Sequence, residues 1–215
     1  MEQHFKKPNY KTMIHYSYVN RLESPFFLVI GAMDGISHDN LSPYIRDKKM
    51  KGIFVEPVKF MFDKLVDNYK DFDGIFFENC AISDSNGKAT IKRIDFNAKN
   101  MYPDWSDGGS SLIPSKTPMK NVSNLIEEVV ATKTLDSLLS QYSEGNIDIL
   151  QIDCEGYDLI VFRQFDFKKY NPSFISIENL SMTNEEKQET VKILTSNSYD
   201  VYDNGSEFMA TKDKS

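Results

Sequence analysis

Residues 26–35 read FFLVIGAMDG, an apolar run that ends in a loop with two glycines. A short run that is apolar at every position and is preceded by a proline is typical of a strand buried on both faces of a parallel sheet. Glycines directly after such a strand allow a sharp turn and a close approach of the backbone to a ligand. The stretch therefore predicts a first strand, Phe26–Gly31, followed by a ligand-binding loop.

Further apolar runs alternate with segments of helical spacing, and this alternation predicts an α/β fold with a parallel sheet covered by helices. Strands are predicted at Gly52–Glu56, Ile75–Ile82, Ile147–Asp153 and Ser173–Glu178. Helices are predicted at Leu41–Lys49, Lys59–Tyr69, Thr134–Tyr142, Tyr157–Phe165 and Asn184–Asn197, the last with Thr183 as N-cap and Glu186 three residues on. Tyr199–Tyr202 and Phe208–Thr211 flank a turn-rich tetrapeptide, which predicts a closing hairpin with an antiparallel strand at the sheet edge.

An insertion separates the third and fourth predicted strands. Lys88–Ile94 is expected to form an extra strand, and residues 95–124 are polar and weakly periodic. Two interpretations of this loop stay open, a mobile surface segment and a lid in which Tyr102, Trp105, Ser110 and Ser111 contact the substrate. Residues 1–25 are expected to form a helical or extended amino-terminal segment of the single domain 1–215.

Composition and charge limit the possible partners. The chain has 215 residues, a formal net charge of -7 and interleaved acidic and basic residues, so nucleic acid is not expected as a substrate. Its longest apolar stretch, Phe26–Met33, is too short to span a bilayer. Cys80 and Cys154 end apolar runs as buried thiols do, which favours a reducing, cytoplasmic location. No pattern indicates an oligomeric state.

Acidic side chains after the predicted strands indicate the ligand. Glu56 follows Gly35 by 21 residues (56 minus 35) and ends the second strand, where a carboxylate can bind both ribose hydroxyls of a nucleoside. The loop lacks the three-glycine spacing of a pyrophosphate site, and Asp34 would repel a phosphate but tolerate a sulfonium. S-adenosylmethionine is therefore favoured over a dinucleotide. A nicotinamide-dependent oxidoreductase and a non-catalytic cofactor-binding module remain the alternatives.

Two more strand ends carry candidates for catalysis and metal binding. Asp153 and Glu155 follow the fourth strand, and Glu178 and Asn179 end the fifth. Asp153, Glu178 and Asn179 form an all-oxygen set suited to Mg²⁺, which would lower the pKa of an acceptor hydroxyl, unless Glu178 pairs with a lysine or a substrate hydroxyl. Asp158 is explained by the dipole of the following helix.

The candidate bases are Asp153, Glu155 and His38, although His38 has a second interpretation as a helix-capping or packing residue.

Five motifs give the chain a resemblance to the FkbM-type family of S-adenosylmethionine-dependent methyltransferases. The motifs are Val29–Gly35, Lys51–Pro57, Asn79–Ser83, Thr134–Leu139 and Leu150–Asp158.

The resemblance implies a Rossmann-like class I methyltransferase fold with a seven-stranded sheet, and O-methylation of a carbohydrate or secondary metabolite. The residues then expected around the cofactor are Gly31, Ala32, Met33, Asp34, Gly35, Glu56, Pro57, Ala81, Ile82 and Asp153. Val29 stands where the family often has an acidic or amide residue. A weaker hold on the methionine end of the cofactor is therefore expected, unless Asp34 or Asp153 takes over the contact with its ammonium group.

Overall fold

A computed structural model describes residues 24–95, 97, 109–122, 125–142 and 146–212. The strands are β1 (Phe26–Ile30), β2 (Lys51–Val55), β3 (Ile75–Glu78), β4 (Ala81–Ile82), β5 (Gly87–Ile94), β6 (Ser110–Ser111), β7 (Leu125–Lys133), β8 (Ile149–Ile152), β9 (Phe174–Glu178), β10 (Asp200–Asp203) and β11 (Glu207–Thr211). The α-helices are α1 (Ser42–Lys48), α2 (Lys59–Tyr69), α3 (Leu135–Leu139), α4 (Asp158–Phe162) and α5 (Asn184–Ser196). Short 3₁₀ turns occupy Pro114–Lys116 and Pro118–Asn121.

The main sheet has seven strands in the order β10-β11-β9-β8-β1-β2-β3. The strands from β3 across to β9 are all parallel, as the buried apolar runs predicted. The predicted closing hairpin is present, but its antiparallel strand is not at the edge. β11 lies between β9 and β10 and is antiparallel to both, so β10 is the outer strand.

Helices cover both faces of this sheet because successive side chains of each buried strand point to opposite faces. Leu28 and Ile30 of β1 face one buried cluster, to which α3, α4 and α5 contribute. Phe27 and Val29 face the other cluster, with α1 and α2. The predicted capping box at the start of α5 is present, with Thr183 and Glu186 exchanging their hydrogen bonds.

A second sheet, in the order β4-β7-β5-β6, corrects two expectations. The run Ile75–Ile82 is two strands, because the Asn79 side chain donates to the backbone carbonyls of Glu56 and Pro57 and the chain turns away there. β7 was not expected, and it pairs antiparallel with the whole length of β5. The predicted extra strand Lys88–Ile94 is present within β5.

Several expectations concern residues outside those described, including residues 1–23, Tyr102 and Trp105. The single domain over 1–215 and the cytoplasmic location also stay predictions. Cys80 and Cys154 are both free thiols. None of the helices in the described ranges combines the length and apolar composition that crossing a membrane requires.

Candidate functional site

A cavity of about 390 Å³ lies beyond the carboxyl ends of the parallel strands. Each of five neighbouring strand ends contributes to its lining, in the spatial order Glu56 (β2), Gly31 (β1), Asp153 (β8), Glu178 (β9) and Glu207 (β11). Open parallel sheets bind their ligands at this edge, and the volume suits a ligand of small-molecule size. The strand order therefore places four residues predicted from the sequence and one further residue, Glu207, around one cleft.

The turn after β1 can be made only with glycine at position 31. Gly31 has a φ of +85°, and a Cβ atom there would lie 1.7 Å from the backbone oxygen of Asp153. The backbone N–H groups of Gly31 and Ala32 both donate to the carbonyl of Val55 at 3.0 Å. The close approach brings the ends of β1, β2 and β8 together at the floor of the cavity.

Glu56 is the buried acid of the cavity, with only 4% of its surface exposed. Its Oε2 atom accepts from the backbone N–H of Met33, and its Oε1 atom accepts from that of Val58, both at 2.8 Å. Burial raises the pKa of Glu56 to about 8 in spite of these two donors. Each carboxyl oxygen has a second lone pair, so a fixed Glu56 can still bind two ligand hydroxyls.

Three residues of the expected cofactor loop do not line the cavity. Ala32 packs in the core cluster on the α1 and α2 face of the sheet. The Asp34 carboxylate accepts from the backbone N–H groups of Ile36 and Ser37, which stabilises the turn. A Cβ atom on Gly35 would lie 2.4 Å from Leu65 of α2. These residues shape the loop, whereas the expected residues Met33, Pro57, Ala81 and Ile82 line the cavity.

Three carboxylates meet where β8, α4 and β9 converge. Oxygen atoms of Asp153, Asp158 and Glu178 all lie within 4.8 Å of one another. Asp158 is fully buried, and its two oxygens accept from the backbone N–H groups of Cys154 and Gly156 at 2.7 and 3.0 Å. The helix dipole alone is thus an incomplete explanation of Asp158, because its side chain belongs to this acidic cluster.

The cluster is strongly electronegative. Among the described residues that line the cavity, none is lysine or arginine. Burial raises the pKa of Asp158 to about 6. Burial and the charges of Asp158 and Glu155 raise the pKa of Glu178 to about 8. Asp153 is open to the cavity, but the cavity walls remove much of the water around it. This desolvation, together with the charges of Glu155, Asp158 and Glu178, raises the pKa of Asp153 well above its ordinary value. A cation, or a proton shared between carboxyls, would relieve this repulsion.

The structure does not bring Asn179 into the cluster. Asn179 is fully buried, and its Nδ2 atom donates to Asp203 of β10 at 3.1 Å. Lys187 donates to its Oδ1 atom at 3.5 Å. Because consecutive residues at a strand end point in opposite directions, Glu178 lines the cavity while Asn179 points toward the hairpin. Asp158 takes the place that the sequence assigned to Asn179.

The two other candidate bases, Glu155 and His38, both line the cavity on strained loops. Glu155 has a φ of +50° and His38 a φ of +58°, in the left-handed region that non-glycine residues seldom adopt. Burial and the charge of Asp158 raise the pKa of Glu155 to about 7. The Ser111 hydroxyl donates to the Glu155 carbonyl at 2.6 Å and holds this turn. The described part of the insertion is therefore a wall of the cavity.

Residues 30–201, most of the chain, match the family model of the methyltransferase FkbM domain. The chain belongs to the FkbM methyltransferase family. This match confirms the resemblance that the five motifs predicted. No curated protein sequence matches the chain.

Solved structures are similar to this FkbM chain in fold. Methyltransferase FkbM from Methylobacillus flagellatus KT has a TM-score of 0.55 at 14% identity, over 88% of this chain and 44% of that one. This FkbM chain thus spans less than half the length of that protein. The predicted class I methyltransferase fold is confirmed.

Two other structures have a TM-score of 0.43. They are Aeropyrum pernix fibrillarin with natively bound S-adenosyl-L-methionine (13% identity, 87% of this chain and 65% of that one) and precorrin-6y C5,15-methyltransferase from Geobacter metallireducens GS-15 (11% identity, 97% and 92%).

Several residues of the FkbM chain line the cavity without having been selected from the sequence, and four of them are polar residues of β8, β9 and the hairpin. Gln151 and Ser176 line the cavity from the middle of β8 and β9, and Ser206 and Glu207 line it from the hairpin. Ser176 donates to the Glu207 carboxylate at 2.5 Å. Gln151 was detectable as a polar residue inside a buried apolar run, whereas the position of Glu207 depends on the insertion of β11 beside β9.

Proposed function

We propose that this chain transfers the methyl group of S-adenosylmethionine to a hydroxyl group of a carbohydrate or secondary metabolite. The observation that carries the proposal is the arrangement of the cavity, in which the buried Glu56 and the glycine-only turn at Gly31 lie beside a cluster of carboxylates. Glu56 and the turn at Gly31 suit a nucleoside, and the carboxylate cluster suits an acceptor. The cofactor is assigned to the β2 and β1 side, and the acceptor to the β9 and β11 side.

The residues on the β2 side fit an adenosyl group. Glu56 presents both carboxyl oxygens from a fixed position, and two ribose hydroxyls can bind to them. Pro57, Ala81 and Ile82 supply apolar surface beside Glu56, where an adenine ring can be buried.

The acceptor side combines apolar and acidic groups. Tyr157 and Leu112 line it, and Leu180 lines it with 67% of its surface exposed. Aromatic and aliphatic surfaces of this kind pack against the C–H faces of sugars, while carboxylates accept hydrogen bonds from sugar hydroxyls. This combination supports a polyhydroxyl acceptor.

The chain must orient the acceptor hydroxyl and remove its proton. S-adenosylmethionine, when bound, supplies a methyl group on a sulfonium that leaves without further activation. Glu155 is the favoured general base because a pKa of about 7 is near the operating pH. Asp153 stands beside it in the cavity, and His38 approaches from the loop after β1.

A divalent cation is a second candidate means of activation. Asp153, Asp158 and Glu178 would hold Mg²⁺, which would lower the pKa of an acceptor hydroxyl. The clustering of these three oxygens supports the proposal. The absence of lysine and arginine among the described lining residues disfavours the alternative in which Glu178 pairs with a lysine.

Equilibrium binding and turnover test the proposed function. We expect S-adenosylhomocysteine to bind in calorimetry and NAD not to bind, because the loop after β1 suits a sulfonium cofactor. Release of S-adenosylhomocysteine with a panel of polyols and sugars would then identify the acceptor. Binding of NAD alone would favour an oxidoreductase, and cofactor binding without turnover would favour a non-catalytic module.

Chelation separates the two means of activation. If Mg²⁺ is held by the carboxylate cluster, EDTA should stop turnover and added Mg²⁺ should restore it. Asp158→Asn should then raise the Mg²⁺ concentration needed for half-maximal activity. Full turnover in EDTA would contradict activation by a metal ion and would leave Glu155, Asp153 or His38 as the base.

A further inference from the structure

The charged side chains on the acceptor side of the cavity all have the same sign, and the inference from them rests on the proposed function. Four acidic residues line this side, namely Asp153 and Glu155 after β8, Glu178 at the end of β9 and Glu207 at the start of β11. No lysine or arginine lines the cavity among the residues that the structure describes. A bound acceptor therefore faces negative charge from several strand ends.

None of these four acids forms an ion pair with another described residue. Two lysines of adjoining segments have other partners. Lys116 of the insertion pairs with Glu186 of α5 at 2.5 Å, and Lys187 of α5 donates to the Asn179 amide oxygen at 3.5 Å. Within the described chain, the acceptor side thus has no ion-pair partner of its own.

Glu178 and Glu207 lie directly opposite each other on neighbouring antiparallel strands. Side chains at directly opposed positions share one face of a sheet, with Cβ atoms about 5 Å apart, and like charges there are destabilising. Both side chains line the cavity. The pair is therefore a cost to stability that a cationic ligand would remove.

Neutral groups hold Glu207, while Glu178 is left partly unsatisfied. The Ser176 hydroxyl donates to Oε2 of Glu207 at 2.5 Å, and the Asn204 amide donates to Oε1 at 2.9 Å. The Oε2 atom of Glu178 is buried and has no hydrogen-bond partner among the described residues. A nearby positive charge would stabilise this oxygen whatever its exact direction, because the Coulomb attraction depends on distance alone.

We propose that the acceptor is a cationic amino sugar and that its ammonium group lies between Glu178 and Glu207. An ammonium has three donors and a full positive charge, so it bonds both carboxyl groups and relieves the repulsion between them. Tyr157 and Leu180, which line the same side, pack against the C–H face of the sugar. The same carboxyl groups repel a uronic acid or a phosphorylated sugar.

This ammonium site shares only one residue with the proposed magnesium site. Asp153, Asp158 and Glu178 would hold the metal ion, and Glu207 is not among them. A variant at Glu207 therefore tests recognition of the ammonium group without removing a candidate metal ligand.

Four sugars that differ in charge provide the first test. At pH 7, glucosamine and 6-amino-6-deoxyglucose are cations, glucose is neutral and glucuronate is an anion. NMR titrations measure their affinity for the chain saturated with S-adenosylhomocysteine, in EDTA so that no divalent ion bridges a carboxylate to the protein. We expect at least one amino sugar to bind about 10- to 100-fold more tightly than glucose, because its hydrogen bonds are charge-assisted, and glucuronate to bind more weakly than glucose.

Variants of the opposed pair provide the second test. Glu207→Gln keeps the size of the side chain but removes its charge, so the preference for the amino sugar over glucose should fall about tenfold. Glu178→Gln should behave alike in EDTA. The affinities for glucose and S-adenosylhomocysteine should change less than about threefold, and retained S-adenosylhomocysteine binding shows that a variant is folded. The matched control is Asp200→Asn, which removes an exposed charge from β10 of the same hairpin and should change no affinity.

The absence of a preference for an amino sugar, including the binding of none of the four sugars, would overturn the assignment. A preference that persists unchanged in both site variants would overturn it too. Failure of the wild-type chain to bind S-adenosylhomocysteine would instead overturn the proposed function.

Discussion

At the scale of single residues, the carboxyl group of Glu56 has a structural role, and the proposed function adds the binding of a ribose. Its oxygens stabilise the backbone of the loop after β1, through Met33, and the start of α2, through Val58. Glu56 also lines the cavity. Because both tasks need an acceptor at each oxygen, even a near-isosteric replacement should disturb the site.

We expect Glu56→Gln to weaken S-adenosylhomocysteine binding by about 1–3 kcal/mol, because a buried hydrogen-bond acceptor is lost. The amide nitrogen is a donor, so it would face either a backbone N–H group or a ribose hydroxyl that needs an acceptor. Calorimetry measures the change, and Glu127→Gln on the exposed face of β7 is the matched control. Unchanged affinity would remove Glu56 from the ribose site.

At the scale of elements, two side-chain contacts hold the described part of the insertion, one to the turn after β8 and one to α5. Ser111 bonds the Glu155 carbonyl, and Lys116 forms an ion pair with Glu186 of α5 at 2.5 Å. A Cβ atom on Gly156 would lie 3.1 Å from Lys116, so the segment packs closely on the turn before α4. The insertion thereby supports the backbone of a candidate base.

Removal of the Ser111 hydroxyl should affect the acceptor more than the cofactor. Ser111→Ala loses the bond to the Glu155 carbonyl, and we expect kcat/KM for the acceptor to fall about 3- to 30-fold with S-adenosylhomocysteine affinity unchanged. Steady-state kinetics and calorimetry measure the two effects. Ser140→Ala, on an exposed helix end, is the control. An equal loss in cofactor affinity would mean that Ser111 supports the whole cavity.

The elements also show which signals the sequence carries. The buried strands of the main sheet were predictable because they are apolar at every position and flanked by turns. β7 was not, since it has one solvated face, with Val129 exposed and Val130 buried, and its partner β5 lies across the insertion.

The cavity residues also divide into those that the sequence could predict and those that it could not. Gly31, Glu56 and Asp153 follow strands and were predictable. Glu207 enters through tertiary contacts that no spacing reveals.

At the scale of the whole molecule, the chain has a net charge of -7, and several of its acidic groups line the cavity. Glu56, Glu155 and Glu178 have folded-state pKa values of about 8, 7 and 8, against an ordinary value of 4.5. The folded chain therefore binds more protons than the unfolded chain between those limits. Linkage then requires stability to fall as pH rises through this window.

We expect the ligand-free chain to melt a few degrees lower at pH 8.5 than at pH 6, since about 1 kcal/mol shifts Tm by about 2–4 °C in a chain of this size. The stabilising protons are fully bound below pH 4.5 and lost as pH approaches 8. Calorimetric scans measure Tm, and Glu178→Gln should show a smaller decline because one titrating group is gone. A Tm that rises over this interval would contradict the raised pKa values.

The insertion of β11 between β9 and β10 has a consequence for synthesis. Ser206 and Glu207, which line the acceptor side, come from the hairpin, whereas Gly31 and Glu56 leave the ribosome long before them. Because β1 pairs with β8 and Gly31 packs against Asp153, the nucleotide side needs the chain up to residue 153, which is still 54 residues (207 minus 153) before Glu207. A nascent chain that ends before β11 would therefore lack one wall of the proposed acceptor side.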